Sequence, residues 1–165
     1  MDHLVGQRLP NIELPSTDGT LVNPANLKGM AVYFCYPYTG KPGVADPPGW
    51  DGIPGAHGST PQALMFSTLY DGFEKLAVKV FGLSFQDTAW QQEFVRRTAL
   101  RVPLLSDHAK KFSQALALPT FKAGDNDYLK RLTLLANDGT IIGLRFLVAS
   151  PENDAAETLR LFKNY

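Results

Sequence analysis

The hydrophobic pattern of this chain alternates between short continuous apolar runs and a segment in which apolar residues recur at helical spacing. Residues 30–36 (MAVYFCY), 79–85 and 104–105 are apolar runs, and each predicts a buried strand. Residues 62–77 predict a helix with one buried face, whose apolar residues are Leu64, Met65, Leu69, Phe73 and Leu76. Strands that alternate with helices favour an α/β fold.

Turn and capping residues mark the ends of the remaining elements. Gly19 within STDG and the later NDG segment predict two antiparallel hairpins. Asn and Asp residues that precede helical segments predict caps. The elements bounded by these signals are an opening hairpin (12–15 and 20–22), a short helix after Asn23 (24–27), a helix after Asp87 or Thr88 that stops before Pro103, a helix capped by Asp107 that runs through Leu116, a late hairpin (129–136 and 140–148) and a closing helix (153–163). Together they predict a mixed central sheet flanked by helices, with an N-terminal hairpin.

Composition sets the size class and excludes several partners. The 165 residues, 44% of them hydrophobic, fit one domain over 1–165. Sixteen basic residues balance sixteen acidic ones, so no net field would hold a nucleic-acid backbone or an anionic membrane. The amino end resembles no secretory signal, and no apolar run approaches the roughly 20 residues that cross a bilayer. We therefore expect a cytoplasmic protein with neither a nucleic-acid nor a membrane partner.

Few residues are suited to hold a metal or form a disulfide. Cys35 is the only cysteine, which excludes an intramolecular disulfide and a multi-thiolate zinc site. A metal would need His3, His57 and His108 with carboxylates, and no two of these histidines have a helical ligand spacing. We therefore do not expect a metal site. Cys35 lies in an apolar run, where burial raises the pKa of a thiol. A packing role is therefore favoured for Cys35, and a role as a redox sensor stays open as the alternative.

The most unusual segment is 37–60, in which eleven of 24 residues are Pro or Gly. A connection of this length is generally functional or disordered. Trp50 and neighbouring aromatic residues can pack on the body of the protein, which solvated linkers cannot do. We therefore expect a shaped loop that delivers Ser59 to the start of a helix. On local chemistry alone, Ser59 or Thr60 would cap a helix whose first residue is Pro61.

The order of elements resembles the thioredoxin fold as elaborated in peroxiredoxins. GQRLPNIELPSTDGT is similar to the opening hairpin of that family, KGMAVYFCYP to its first core strand and KVFGLSFQDTAWQQEF to its second strand and helix. GWDGIPGAHGSTPQALMF resembles a group related to the Q-type peroxiredoxins, with the pattern Gly-Cys-Thr-Pro-Gln-x-Cys. The resemblance implies a peroxidase that reduces hydrogen peroxide or organic hydroperoxides with an external thiol reductant and no cofactor. Such proteins often self-associate, so a homo-oligomer is left open.

The resemblance also assigns individual positions. The peroxide-attacking cysteine falls on Ser59 and the resolving cysteine on Leu64, so both thiols are missing. The family signature Pro-x-x-x-Thr-x-x-Cys is not reproduced at Gly52 and Ala56. LKRLTLLANDGTI resembles the late hairpin that carries the active-site arginine, which would be Arg131. Without the resemblance, Arg131 would be interpreted as a solvated or salt-bridged strand residue.

Ser59 determines what activity the resemblance can imply. A cysteine in the first turn of a helix, beside an arginine, would have a lowered pKa. A serine hydroxyl stays protonated near neutral pH and forms no sulfenic acid, so we expect little or no peroxidase turnover. Two accounts of Ser59 stay open: a cysteine replaced in the laboratory, or a natural loss of activity.

Functions outside the peroxidase class are also open. The Pro/Gly loop 37–60 could make the protein a non-catalytic binding module. A serine hydrolase built on Ser59 is weakly supported, because HGSTP lacks the second glycine of the G-x-S-x-G turn.

Overall fold

A computed structural model describes residues 1–164 of the chain and contains a five-stranded sheet with the order β5-β4-β3-β8-β9. Within that range the strands are β1 (Leu14–Pro15), β2 (Leu21–Val22), β3 (Met30–Cys35), β4 (Val78–Ser84), β5 (Leu104–Ser106), β6 (Thr120–Ala123), β7 (Asn126–Leu129), β8 (Leu132–Asn137) and β9 (Thr140–Arg145). The α-helices are α1 (Ser59–Thr68), α2 (Tyr70–Lys75), α3 (Thr88–Thr98), α4 (Lys111–Ala115) and α5 (Pro151–Phe162). None of the described helices is long and apolar enough to cross a membrane.

The sheet is mixed, as the sequence predicts, and β3 lies at its centre. β3 pairs in parallel with β4 and antiparallel with β8. Its side chains alternate between two hydrophobic clusters: Phe34 packs in one with Phe66 of α1, and Cys35 packs in the other with Phe112 of α4. Because both faces are covered, every residue of β3 after Met30 is buried.

Several local signals have the predicted structural effect. The opening hairpin forms as the short ladder of β1 and β2. Asn23 caps a 3₁₀ turn, Pro24–Asn26, by accepting a hydrogen bond from the backbone N–H of Ala25. Asp87 caps α3 by accepting from the N–H of Trp90. In each case a short polar side chain satisfies an N–H that the helix itself leaves unpaired.

The predicted cap at Asp107 works across a longer distance than expected. Lys110, with φ 64°, immediately precedes α4. The Asp107 carboxylate accepts from the N–H groups of Phe112 and Ser113 in the first turn of that helix. Its negative charge therefore still lies at the helix start.

The predicted helix over 62–77 is wrong in its start and its continuity, and its buried face is only partly right: Met65, Leu69 and Phe73 pack in the core as predicted. It begins at Ser59 and is interrupted at Leu69, so α1 and α2 are separate helices. Leu64 and Leu76 are exposed, whereas the buried residues of the two helices are Ser59, Gln62, Ala63, Phe66 and Phe73. The packing of α1 against the sheet and α5 selects this face, and the polar residues on it are hydrogen-bonded.

The predicted late hairpin forms, because β8 pairs antiparallel with β9, but the predicted strand over 129–136 is interrupted at residues 130–131. β7 ends at Leu129 and pairs with β6 in a hairpin that the sequence analysis missed, and β8 begins at Leu132. The next strand, β9, ends at Arg145 rather than near residue 148. Arg131 therefore lies between two strands, where its side chain extends into the protein instead of belonging to the sheet.

Candidate functional site

The Pro/Gly-rich loop folds onto the body of the protein, as its aromatic residues indicate. The Trp50 ring is 4% exposed and lies 5.5 Å from the ring of Tyr38 and 5.1 Å from that of Tyr128, centroid to centroid. The indole N–H of Trp90 donates to the carbonyl of Thr39 at 2.8 Å, which fixes the start of the loop to α3. These contacts hold both the beginning and the middle of the segment.

Ser59 is the first residue of α1, and it does not act as a cap. Gly58 occupies the N-cap position with φ +112°, a conformation that L side chains rarely adopt. Neither Ser59 nor Thr60 caps the helix with its side chain, and Pro61 is not the first helical residue. Ser59 is 2% exposed, and its hydroxyl accepts a hydrogen bond from Arg131 instead.

Arg131 holds the end of the loop and the start of α1 together. Its Nη1 donates to the Ser59 hydroxyl at 3.2 Å and to Oε1 of Gln62 at 2.5 Å. Its Nη2 donates to three consecutive carbonyls, those of Gly55, Ala56 and His57. The structure therefore brings Arg131 to Ser59 although 72 residues separate them in the sequence.

Arg131 is a buried cation without a carboxylate directly paired to it in the described part of the chain. Burial lowers the pKa of its guanidinium to about 10, and the charge of Asp154 opposes this effect. The group is still protonated at neutral pH, so it carries a positive charge beside Ser59. The interpretation of Arg131 as a solvated or salt-bridged strand residue is therefore wrong.

Gln62 is a site residue that the sequence analysis missed. It is fully buried, it accepts from Arg131, and its Nε2 donates to Oδ2 of Asp154 at 3.0 Å. Gln62 follows Ser59 by three positions, which places both side chains on one face of α1. That spacing was visible in STPQ, but the apolar pattern alone assigned Gln62 no role.

A cavity of about 260 Å³ opens beside Ser59, with Tyr38, Trp50 and His57 among its lining residues. Leu64, at the position implied for a resolving cysteine, is 37% exposed and does not line this cavity. The nearly buried Ser59 hydroxyl thus lies next to a space large enough for a small molecule. Arg131, which donates to that hydroxyl, lines a different cavity of about 370 Å³.

Cys35 lies away from the Ser59 cavity. It is fully buried in β3, and burial raises the pKa of its thiol far above the usual value. A thiol in this position is neither accessible nor ionised at neutral pH, which agrees with the packing role expected from the sequence.

His57 and two carboxylates form an exposed group at the edge of the cavity. His57 Nε2 lies 2.6 Å from Oδ1 of Asp51, and the ligand atoms of Asp46, Asp51 and His57 all lie within 4.8 Å of one another. Exposed groups of this kind are common without an ion. His57 makes no hydrogen bond to Ser59 among residues 1–164, so Ser59 lacks the base that a serine nucleophile needs.

Comparison with known proteins assigns most of the chain to one family. The family model Redoxin matches residues 4–159. The chain is similar to peroxiredoxin Q, chloroplastic, of Oryza sativa subsp. japonica, with 28% identity over 161 residues. That match covers 96% of this chain and 66% of the rice protein, so the chain spans about two thirds of the length of this relative.

Solved structures share the fold. Peroxidoxin BcpB from Mycobacterium tuberculosis superposes with a TM-score of 0.76 at 21% identity, over 97% of this chain and 96% of that one. Peroxiredoxin Q of Xanthomonas campestris superposes with a TM-score of 0.75 at 20% identity, over 95% of each chain. The predicted thioredoxin-like fold with a mixed central sheet is confirmed.

Proposed function

Because the chain belongs to the Redoxin family, within the peroxiredoxin superfamily, we propose that its site is that of a thiol peroxidase in which Ser59 occupies the position of the attacking cysteine. One observation carries the proposal: the Ser59 side chain, in the first turn of α1, lies 3.2 Å from Nη1 of Arg131. The substrates are hydrogen peroxide or organic hydroperoxides, and the reductant is an external thiol.

The geometry suits a thiolate at position 59. The unpaired N–H groups and positive dipole end of α1, together with the Arg131 guanidinium, would stabilise the thiolate and lower the pKa of the thiol. The thiolate sulfur attacks one peroxide oxygen, an S–O bond forms and the O–O bond breaks. The departing hydroxide or alkoxide takes up a proton, and Arg131 stabilises the charge that develops on the oxygen. Two equivalents of external thiol then reduce the sulfenic acid to thiol, with release of water and a disulfide.

With serine in this position, the reaction is blocked at its first step. The Ser59 hydroxyl accepts from a guanidinium, which can donate hydrogen bonds but cannot remove a proton. Within residues 1–164 the only cysteine is Cys35, which is buried in the sheet. We therefore propose that this chain has little or no peroxidase turnover.

A non-catalytic binding module is the second candidate function, and Ser59 itself favours it. The ordered loop and the cavity of about 260 Å³ remain although the nucleophile is absent. Such a surface would recognise a partner through the exposed residues of the loop at 37–60, which the buried Trp50 holds on the body of the protein.

Restoring the thiol separates the two functions. We expect Ser59→Cys to consume hydrogen peroxide in the presence of dithiothreitol, to form a dimedone-trappable sulfenic acid, and to have a thiol pKa at least about one unit below the usual 8.5 or so. The thiol pKa is measured from the pH dependence of alkylation by iodoacetamide. Adding Arg131→Met should reduce the peroxide rate by about a hundredfold or more.

Ser59→Ala is the matched control, since it removes the hydroxyl without adding a thiol. If folded Ser59→Cys has an ordinary thiol pKa and consumes no peroxide, the peroxidase proposal is wrong. The binding module then becomes the better hypothesis.

A further inference from the structure

A buried polar network connects Arg131 to the C-terminal helix α5. Gln62 Oε1 accepts from Arg131, and Gln62 Nε2 donates to Oδ2 of Asp154. Asp154 is fully buried and accepts three further hydrogen bonds: from Thr133 Oγ1 at 2.6 Å, Arg145 Nε at 2.8 Å and Thr158 Oγ1 at 3.2 Å. The carboxylate thus receives four donors from α1, β8, β9 and its own helix.

Asp154 determines which end of the Gln62 amide faces Arg131. An ionised carboxylate only accepts hydrogen bonds, so the amide NH₂ must face Asp154 and the amide oxygen is left for Arg131. Rotating the amide by half a turn would set its NH₂ against the guanidinium N–H groups and its oxygen against the carboxylate. Both contacts would be repulsive in a buried setting, where unpaired polar groups are most unfavourable.

The negative charge of Asp154 also supports a protonated Arg131 next to Gln62. It is the acidic group that favours the protonated form of Arg131 against the effect of burial. Arg145 also pairs with Glu157, which is partly exposed and makes no contact with Gln62 or Arg131 in the described hydrogen-bond network. Glu157 therefore provides a neighbouring acidic residue for comparison.

We propose that Asp154 is a positioning residue, which acts through Gln62 to hold the Arg131 guanidinium against the side chain at position 59. The effect of Asp154 on activity rests on the proposed peroxidase function, because Arg131 would stabilise a thiolate at position 59. Helix α5 thus contributes to the site although Asp154 does not touch Ser59.

The first test uses the chain with Ser59 in place and needs no activity. Nitrogen-15 NMR of the Arg131 side chain should show distinct Nη signals, because hydrogen bonds to different partners restrict rotation of the guanidinium. Asp154→Asn keeps the side-chain shape but offers one acceptor oxygen and an NH₂ group to four donors. We expect the Nη signals to shift or merge in Asp154→Asn and to stay unchanged in Glu157→Gln.

The second test measures the site in the Ser59→Cys background. We expect Asp154→Asn to lower the peroxide rate by about tenfold and to raise the thiol pKa, since a hydrogen bond that orients a charged group has an effect of this order. In a chain that also carries Gln62→Met, the same Asp154→Asn change should have a clearly smaller effect, because the connecting amide is absent and only the charge of Asp154 still acts on Arg131.

The two tests distinguish failure of this inference from failure of the peroxidase proposal. Arg131 Nη signals that stay the same in folded Asp154→Asn would overturn the positioning role, as would an equal effect of Asp154→Asn with and without Gln62. If Asp154→Asn does not fold, Gln62→Met in the chain with Ser59 replaces it, and unchanged Nη signals there overturn the inference. An inactive Ser59→Cys parent would contradict the peroxidase proposal and leave the NMR result to decide on Asp154.

Discussion

Substituting Gly58 with alanine should displace the start of α1 from the site. Gly58 has φ +112°, and a Cβ built on it would lie 2.7 Å from Cγ and 3.1 Å from Cβ of Pro151, the first residue of α5. The residue directly before Ser59 therefore packs against the beginning of α5. Any side chain at position 58 must strain the backbone and also push two helices apart.

The expected loss of stability is the sum of two contributions. A non-glycine residue in such a sparsely populated conformation costs about 1–3 kcal/mol. The overlap with the Pro151 ring, whose atoms belong to a rigid side chain, costs about another 1–3 kcal/mol. We therefore expect Gly58→Ala to lower the free energy of unfolding by about 2–6 kcal/mol.

Gly55→Ala is the matched control for the backbone contribution. Gly55 also has a positive φ, +79°, but its added Cβ would meet no atom within 4 Å among the described residues. Gly55→Ala should therefore cost only about 1–2 kcal/mol. Both changes reduce the freedom of the unfolded chain equally, so this effect cancels in the comparison. Urea unfolding followed by circular dichroism measures both variants.

A double-mutant cycle with Pro151→Ala isolates the overlap. Removing Cγ and Cδ of the ring should recover part of the loss in Gly58→Ala, which gives a coupling energy of about 0.5–3 kcal/mol. Equal stabilities of Gly58→Ala and Gly55→Ala, or strict additivity with Pro151→Ala, would refute the contact between the start of α1 and α5 as a structural requirement.

Three further experiments test the core, the loop and the helix face. Cys35 is fully buried with a raised thiol pKa, so a thiol reagent should label it about a thousandfold more slowly in the native protein than in urea. Fast labelling of the native protein would favour the redox-sensor hypothesis instead. Trp50→Ala should cost about 3–5 kcal/mol of local stability and speed proteolytic cleavage within residues 37–58, and an unchanged cleavage rate would show that the aromatic contacts do not hold the loop. Leu64→Ser should lower the free energy of unfolding, measured in urea, by less than about 1 kcal/mol because Leu64 is exposed. Phe66→Ala should lower it by about 3–5 kcal/mol because Phe66 is buried. Similar losses in the two variants would contradict the observed orientation of α1.

Local signals in the sequence were sufficient to predict most of the helices and strands. The apolar run at 30–36 predicts β3 because a strand covered on both faces needs apolar residues at every position. Asp87 predicts the start of α3 because a carboxylate satisfies N–H groups only a few residues away. The aromatic residues of the Pro/Gly loop likewise indicate packing rather than disorder. Each of these causes acts within a few residues, so the sequence reveals it.

Tertiary structure decided which faces are buried and where short strands form. The predicted stripe was wrong at Leu64 and Leu76 because contacts with α5 and the sheet, and not the spacing of apolar residues, determine which face of α1 is covered. The β6–β7 hairpin was missed because its partly exposed residues show no clear alternation. Burial depends on how the helices and the sheet pack together, so the sequence of a single helix or strand does not determine which of its faces is buried.

The contrast between what local sequence predicts and what tertiary contacts decide is clearest at the site. The sequence determined that Ser59 would stand near a helix start, and the family resemblance pointed to Arg131. Only the folded chain brings Gln62 to Asp154, which is 92 residues away, and turns Arg131 inward through the break between β7 and β8. Buried polar side chains take their roles from distant partners that satisfy their hydrogen bonds, and local sequence patterns carry no record of those partners.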